Sequence, residues 1–312
     1  MRILLLSSSF FGYSKRVADN IRKCRHIVDE IYAYPVSYLD RILKKSHLKD
    51  YNRTIRDYCE KKYAEIKENQ YDKIVVFGGG TPYSFIEMLK TRYSSSELVL
   101  YLSADMSSYG FSSDYLSLFD RKLSYSLTDS EIYGFEYRPW FYTDKKTSNK
   151  DIDVSFVGSI HPIRLDILEK INHYEDVSSN FYIYTDRLSY LKYFINWHNL
   201  RHSIHFTGLP YDAYIDVLSR SKATLDIPEC GQNNITTRPI EALATNTKII
   251  TTNKNVVNYD FYCSENILIV DNNFNMEKMI SWLNSPYSFM DNTILEKYNI
   301  NSFVTSLLQI NK

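Results

Sequence analysis

Two stretches of this 312-residue chain carry residue types that could hold an anionic substrate. In residues 221–253, SKATLDIPECGQNNITTRPIEALATNTKIITTN, a strand pattern ends at Pro228 and a polar loop follows. A helix pattern then opens at Thr236 or Thr237, with Pro239 in its first turn. The exposed N–H groups and the macrodipole at a helix start favour anionic oxygens. Arg238 in that turn adds a charge-assisted donor for a phosphate. Glu241, further along the helix, is spaced to accept hydrogen bonds from vicinal hydroxyls such as those of a ribose. The plainer alternative makes Thr237 an N-cap, Glu241 a first-turn capping carboxylate and Arg238 a solvated charge.

The second stretch is residues 154–164, VSFVGSIHPIR, where a hydrophobic run meets Gly158-Ser159 and Pro162 opens a helix with Arg164 in its first turn. Glycine permits close approach of a ligand to the backbone, and the helix start can again receive a phosphate. An ordinary strand-to-helix turn explains Gly158 and Pro162 but does not require Ser159, His161 or Arg164. Earlier in the chain, three loops follow strand patterns: SSSFFGY (7–13), GGGTPY (78–83) and SADMSSY (103–109). Asp105 in the third is the candidate general base, able to take the proton of an attacking hydroxyl. Its plain alternative is the N-cap of the segment that follows. Gly12 is read as allowing close approach of the first loop to a substrate, and Glu87, Asp114 and Asp129 are further carboxylates to test. Gly78-Gly79-Gly80 lacks the G-x-G-x-x-G spacing, so nicotinamide binding is a weak reading. No His/Asp/Glu cluster has metal-ligand spacing, and no metal is expected.

These loops need elements to present them. Short β-rich runs alternate with helical patterns from residue 2 to residue 126, among them RILLLS (2–7), KIVVF (73–77) and ELVLYL (97–102). The polar segment TDKKTSNKDID (143–153) is the linker, and the alternation resumes after it through 267–270, with a helical tail from Met276. Helical patterns at 188–197 and along the tyrosine- and lysine-rich region up to residue 67 belong to the same scheme. Strands spaced by helices predict βαβ units and parallel sheets. The length fits two domains at roughly 100–200 residues each. The 37 basic and 37 acidic residues cancel, which argues against a nucleic-acid partner. A hydrophobic share of 44% with 24% charged residues is globular and excludes wholesale disorder. No apolar run approaches the roughly 20 residues that span a bilayer. The apolar start reads as a strand rather than a signal peptide. Cys24, Cys59, Cys230 and Cys263 form no paired motif, which fits a reducing cytoplasm.

In order and spacing, the two stretches resemble the donor-binding half of GT-B glycosyltransferases, and more narrowly bacterial enzymes of capsule, exopolysaccharide and lipopolysaccharide synthesis. LVLYLSADMSSY, FDRKLSYSLTDSEIYGFEYRPWFY, DVSFVGSIHPIR, LDIPECGQNNITTRPIEALATNTKIITTN and NYDFY carry the likeness, which runs from about residue 72 to 271 and is strongest from 151 onward. The resemblance implies an α/β, GT-B chain with two Rossmann-like domains facing each other across a cleft. Residues 1–145 would be the acceptor domain, 151–285 the nucleotide-sugar donor domain, and 286–312 helices packing back toward the first. It implies that Gln232, Thr236, Thr237, Arg238 and the ribose-binding Glu241 line the donor pocket, with Gly158, Ser159 and Arg164 on its opposite wall. In many retaining members two glutamates stand in an E-x7-E pair; here the first position is Asn233, and Glu229 lies out of register.

The expected activity is sugar transfer from a nucleotide-diphosphate sugar to a hydroxyl of a surface-polysaccharide or lipid-linked glycan acceptor. No cofactor beyond the donor substrate and no metal is expected. The expected location is the cytoplasm, at the inner face of the membrane. The basic helical run within 38–62 is read first as a solvated face and second as a contact for anionic lipid headgroups. A nucleotide-sugar epimerase and a noncatalytic nucleotide-sugar-binding partner in an assembly complex are the rival readings.

Overall fold

The computed structural model describes residues 1–7, 12–32, 51–66, 70–79, 81–187, 189–190, 197–228, 234–271 and 274–310. The chain divides into two compact units, Met1–Pro139 with Ile300–Lys312, and Trp140–Asn299. The helical expectation at 188–197 falls largely outside the described residues, as does the part of the basic region before Tyr51; from there a helix runs Tyr51–Glu65.

The first unit is built on β1 (Arg2–Ser7), β2 (Ile27–Tyr32), β3 (Lys73–Phe77), β4 (Glu97–Leu102), β5 (Arg121–Ser124) and β6 (Glu136–Tyr137). They form one parallel sheet in the order β2-β1-β3-β4-β5-β6. Strands covered on both faces need unbroken apolar runs rather than alternation. Ile3 to Leu6 and Val99 to Leu102 supply them, all at 0% exposure. The helix Tyr13–Lys23 starts from Gly12, whose φ of 75° is left-handed, and buries Val17, Ala18 and Ile21. The C-terminal helix Ile300–Leu308 belongs to this unit. Its Phe303 stands edge-on to Tyr101 at 4.9 Å, and Arg121 donates to the carbonyls of Ser306 and Leu307 at its end.

The second unit holds β7 (Ile152–Ser159), β8 (Ser179–Tyr184), β9 (Ile204–His205), β10 (Ser221–Asp226), β11 (Lys248–Thr251) and β12 (Ile267–Ile269). All pairings are parallel, in the order β12-β11-β10-β7-β8-β9. Counted within the unit this is the 3-2-1-4-5-6 order of a doubly wound dinucleotide-binding sheet, and it reverses between β7 and β10. In the first unit the reversal falls between β1 and β3. Each unit is thus a Rossmann-like α/β sheet, as the alternation of patterns predicts. Among the described residues, no helix is long and apolar enough to cross a membrane.

Candidate functional site

In an open parallel sheet, ligands bind beyond the carboxyl ends of the strands where the order reverses. In the second unit that place is the end of β7 against the end of β10. There the strands part. β7 stays paired with β8 as far as Ser159↔Tyr184, but with β10 only as far as Ser155↔Thr224. Two guanidinium groups span the opening. Arg164 donates from Nε to the Ile227 carbonyl at 2.8 Å and from Nη1 to the carbonyl and Oγ of Ser159 at 3.2 and 2.7 Å. Arg238 donates from Nη1 to Asp226 Oδ1 at 3.0 Å and from Nη2 to the Val157 carbonyl at 2.7 Å, and it lies 5.2 Å over the Phe156 ring. Both arginines expected to meet phosphate therefore also tie β7 to β10.

Asp226, at the last position of β10, organises this region. Its side chain is 1% exposed, and it accepts from Arg238, from the Thr236 hydroxyl at 2.8 Å and from the Thr251 hydroxyl at 3.2 Å. A buried carboxylate with that many donors is compensated, and it fixes three elements at once. Thr236 is the N-cap of the helix Thr237–Ala244, its Oγ1 accepting from the Arg238 amide at 3.3 Å; the cap is thus one residue before Thr237. Thr237 and Arg238 are half-buried at the start of that helix.

Glu241 is completely buried and shares a hydrogen bond with Tyr214. Burial first, and the Glu241 charge second, hold the Tyr214 phenol well above its ordinary pKa. Packing by itself requires Gly158 to be small. A Cβ there would stand 2.7 Å from Phe156 Cζ and 3.2 Å from Arg238 Nη2. Ser159, beside it, is exposed, and His161 is the N-cap of the helix Pro162–Asn172 without a side-chain cap bond. Gln232, Asn233, Glu229 and Cys230 lie outside the described residues, as does Gly80.

In the first unit, Asp105 occupies the N-cap position of the short helix Met106–Tyr109, yet its carboxylate makes no cap bond. The Met106 amide donates to Asp129 Oδ2 at 2.8 Å, and the Tyr125 hydroxyl donates to Asp105 Oδ1 at 2.8 Å. Asp129 is 8% exposed; burial raises its pKa, the Met106 amide lowers it and the Asp105 charge raises it. Tyr125 is raised much further, by burial and then by Asp105. This Asp105–Tyr125–Asp129 group follows β4 and β5 at their carboxyl ends. Asp114 is the first-turn acid of the helix Ser113–Ser117, and Glu87 takes a 3.4 Å bond from Tyr83. Gly12 has nothing within 4 Å of a Cβ built on it. Gly79 has the Tyr109 ring against it, so a side chain there would collide with that ring.

Two features were beyond sequence reasoning: Asp226 as the anchor of the helix start, and Asp129 as the acceptor that leaves Asp105 to Tyr125. The only sequence signal for Asp226 is a lone carboxylate at the end of an apolar strand. Among the described residues, no group of three or more His, Cys, Asp or Glu is gathered to hold a metal ion.

No protein-family model matches the chain. No curated protein matches it in sequence. Solved structures do match in shape. The chain is similar to Anabaena HepE, solved in complex with UDP-glucose, with TM-score 0.64 and 10% identity over 99% of this chain and 98% of that one. It is similar to AviGT4, a glycosyltransferase involved in avilamycin A biosynthesis, with TM-score 0.59 and 10% identity over 99% and 96%. It is also similar to the UDP-GlcNAc 2-epimerase of Methanocaldococcus jannaschii, with TM-score 0.56 and 13% identity over 99% of both chains. At such identities the likeness is one of fold, and the fold is GT-B: two α/β units, each on a parallel six-stranded sheet.

Proposed function

We propose that this chain is a glycosyltransferase that moves a sugar from a nucleotide-diphosphate donor to a hydroxyl of a growing surface glycan. The observation that carries the reading is the opened end of β7 and β10, faced by a capped helix start, in a fold shared with a protein solved with UDP-glucose. The donor is assigned to the second unit. The Thr237 amide at the start of Thr237–Ala244 and the Arg238 side chain beside it receive the diphosphate, and Gly158, Ser159 and Arg164 form the facing wall. Glu241 takes the ribose hydroxyls. Its complete burial means that this contact forms only when the ligand displaces what covers it. Gln232, outside the described residues, is assigned to the donor with them.

The acceptor is assigned to the first unit, with Gly12 at its first loop. Asp105 takes the acceptor proton, the freed oxygen bonds to the anomeric carbon, and the bond from that carbon to the diphosphate breaks. The diphosphate leaves with its charge on the helix-start donors and arginine rather than on a metal. Removal of one preorganised donor of this kind typically costs about 3–4 kcal/mol of barrier.

A thermal-shift screen of nucleotide diphosphates and their sugars tests the donor half. A ligand at 100 times its dissociation constant stabilises by about 2.7 kcal/mol. Glu241→Gln, folded, is expected to lose most of that shift. If it responds like the unmodified chain, the ribose assignment is wrong. The likeness to an epimerase gives a second reading on the same donor site. Incubation of the bound donor without acceptor decides between them: a new nucleotide sugar means epimerisation, and binding with neither reaction means a noncatalytic partner.

A further inference from the structure

The opposite edge of the second sheet carries a site of its own. At the amino ends of β7, β10 and β11 lies a cavity of about 410 Å³. The strand rise along β10 sets it roughly 17 Å from the β7–β10 opening. Three lysines line it, Lys150, Lys222 and Lys248, and no carboxylate does. Lys248 is 2% exposed and donates at 2.7 Å each to the Trp282 carbonyl, the Ser285 carbonyl and Ser285 Oγ. Trp282 is in the last turn of the helix Met276–Leu283 and Ser285 follows it, so the ammonium satisfies its C-terminal end. Lys150 donates to the Thr245 carbonyl and to Thr247 Oγ1, both at 2.9 Å, which uses two of its three N–H bonds. All these acceptors are neutral. Lys222 pairs with Asp153 at 2.6 Å.

The cavity therefore holds two ammonium charges that no carboxylate balances, and buried charge without a counter-charge is costly. Asn246 and Ser148 also line it, the Ser148 hydroxyl sharing a 3.1 Å hydrogen bond with that of Ser219. Its mouth carries Tyr287 and Phe289, edge-to-face at 5.7 Å, and Phe289 is 80% exposed. An exposed ring beside a cationic cavity is suited to a ligand with a flat group on an anionic head. We infer that this cavity binds a small organic phosphate, its dianionic head on the free N–H of Lys150 and on Lys222, and its ring against Phe289. Burial holds the Lys150 ammonium down to about 8, and an arriving phosphate would favour its charged form. The site is independent of the glycosyl-transfer reading, since no residue assigned to donor or acceptor lines it.

Phenyl phosphate is the probe, with orthophosphate and phenol as its two halves. Equilibrium dialysis against the full chain is expected to show phenyl phosphate binding about tenfold tighter than orthophosphate. Phenol should not bind. Phe289→Ala removes the advantage of the ring, and Lys222→Met weakens both phosphates; both side chains are exposed enough to be replaced without loss of the fold. Arg238→Met, at the other edge, leaves phenyl phosphate binding unchanged. Limited acetylation read by mass spectrometry gives the site directly: phenyl phosphate protects Lys150 and leaves Lys23 as reactive as before. Absence of binding overturns the inference. So does binding that survives Phe289→Ala and Lys222→Met but is lost in Arg238→Met shown to be folded by circular dichroism, because the phosphate then sits at the β7–β10 opening.

Discussion

Asp226 shows how much one side chain can hold. It receives donors 10, 12 and 25 residues further along the chain, and without it the largely buried Arg238 guanidinium beside Phe156 would lose the carboxylate it donates to. Breaking a buried pair from one side typically costs 3–5 kcal/mol, so Asp226→Ala should lower stability by about 3 kcal/mol in urea unfolding. Asp226→Asn keeps an acceptor and should cost less. Gly158→Ala tests the same region from the facing strand, because its Cβ would press on the Phe156 ring and the Arg238 head. Overpacking of this kind costs about 1–3 kcal/mol, and the same unfolding curves would show it.

Asp129 makes a statement about pH. Its folded pKa lies above its ordinary value, so its contribution to stability is full at low pH and is lost as pH rises through that folded value. Asp129→Asn keeps an acceptor for the Met106 amide but cannot ionise. Its stability relative to the unmodified chain should therefore improve between pH 3 and pH 7, and a flat difference would refute the assignment. These residues mark the limit of what spacing reveals. That a carboxylate ends β10 and a glycine stands one residue before the end of β7 is legible in the letters. Which way the side chains turn depends on partners brought together by the crossover, so the letters show Gly158 but not the Phe156 ring and Arg238 guanidinium packed against it.

At the scale of elements the sequence is far more transparent, because a strand buried on both faces leaves no choice of pattern. Arg2–Ser7, Lys73–Phe77, Glu97–Leu102 and Lys248–Thr251 enclose their apolar runs with no more than one polar residue at either end. The helix Pro162–Asn172 starts at the proline that announces it. Two-residue β6 is the exception: it lies in an aromatic-rich run with no alternation and exists by pairing with β5, which local composition cannot show. The helix Ile300–Leu308 is apolar enough to be read as helix, but its partners lie far away in sequence. Phe303 is fully buried against Tyr101 and Phe77, Arg138 lies 5.6 Å from its ring, and Asn301 meets Asn20 at 2.7 Å. Phe303→Ala should cost about 3–5 kcal/mol. Ending the chain at Asn299 should destabilise the first unit at least as much, measured as the loss of its unfolding transition at 25 °C.

The whole molecule consists of two units with separate cores, and its three tryptophans, Trp140, Trp197 and Trp282, all fall in the second. That distribution makes the units separately observable. Far-ultraviolet circular dichroism follows helices in both, whereas tryptophan emission follows the second alone. Domains with their own cores need not unfold as one transition. Phe303→Ala should therefore lower a melting step seen by circular dichroism while leaving the tryptophan transition where it was. A nucleotide diphosphate sugar should do the converse. Bound to the β7–β10 opening, it stabilises only the unit that holds it, by about 2.7 kcal/mol at 100 times its dissociation constant, and the tryptophan transition moves up. If the ligand instead shifts only the tryptophan-silent step, the donor belongs to the first unit and the assignment of Arg238 and Glu241 to donor binding fails. Combining Phe303→Ala with ligand sharpens the reading, since independent units predict that the two shifts add and neither changes the other.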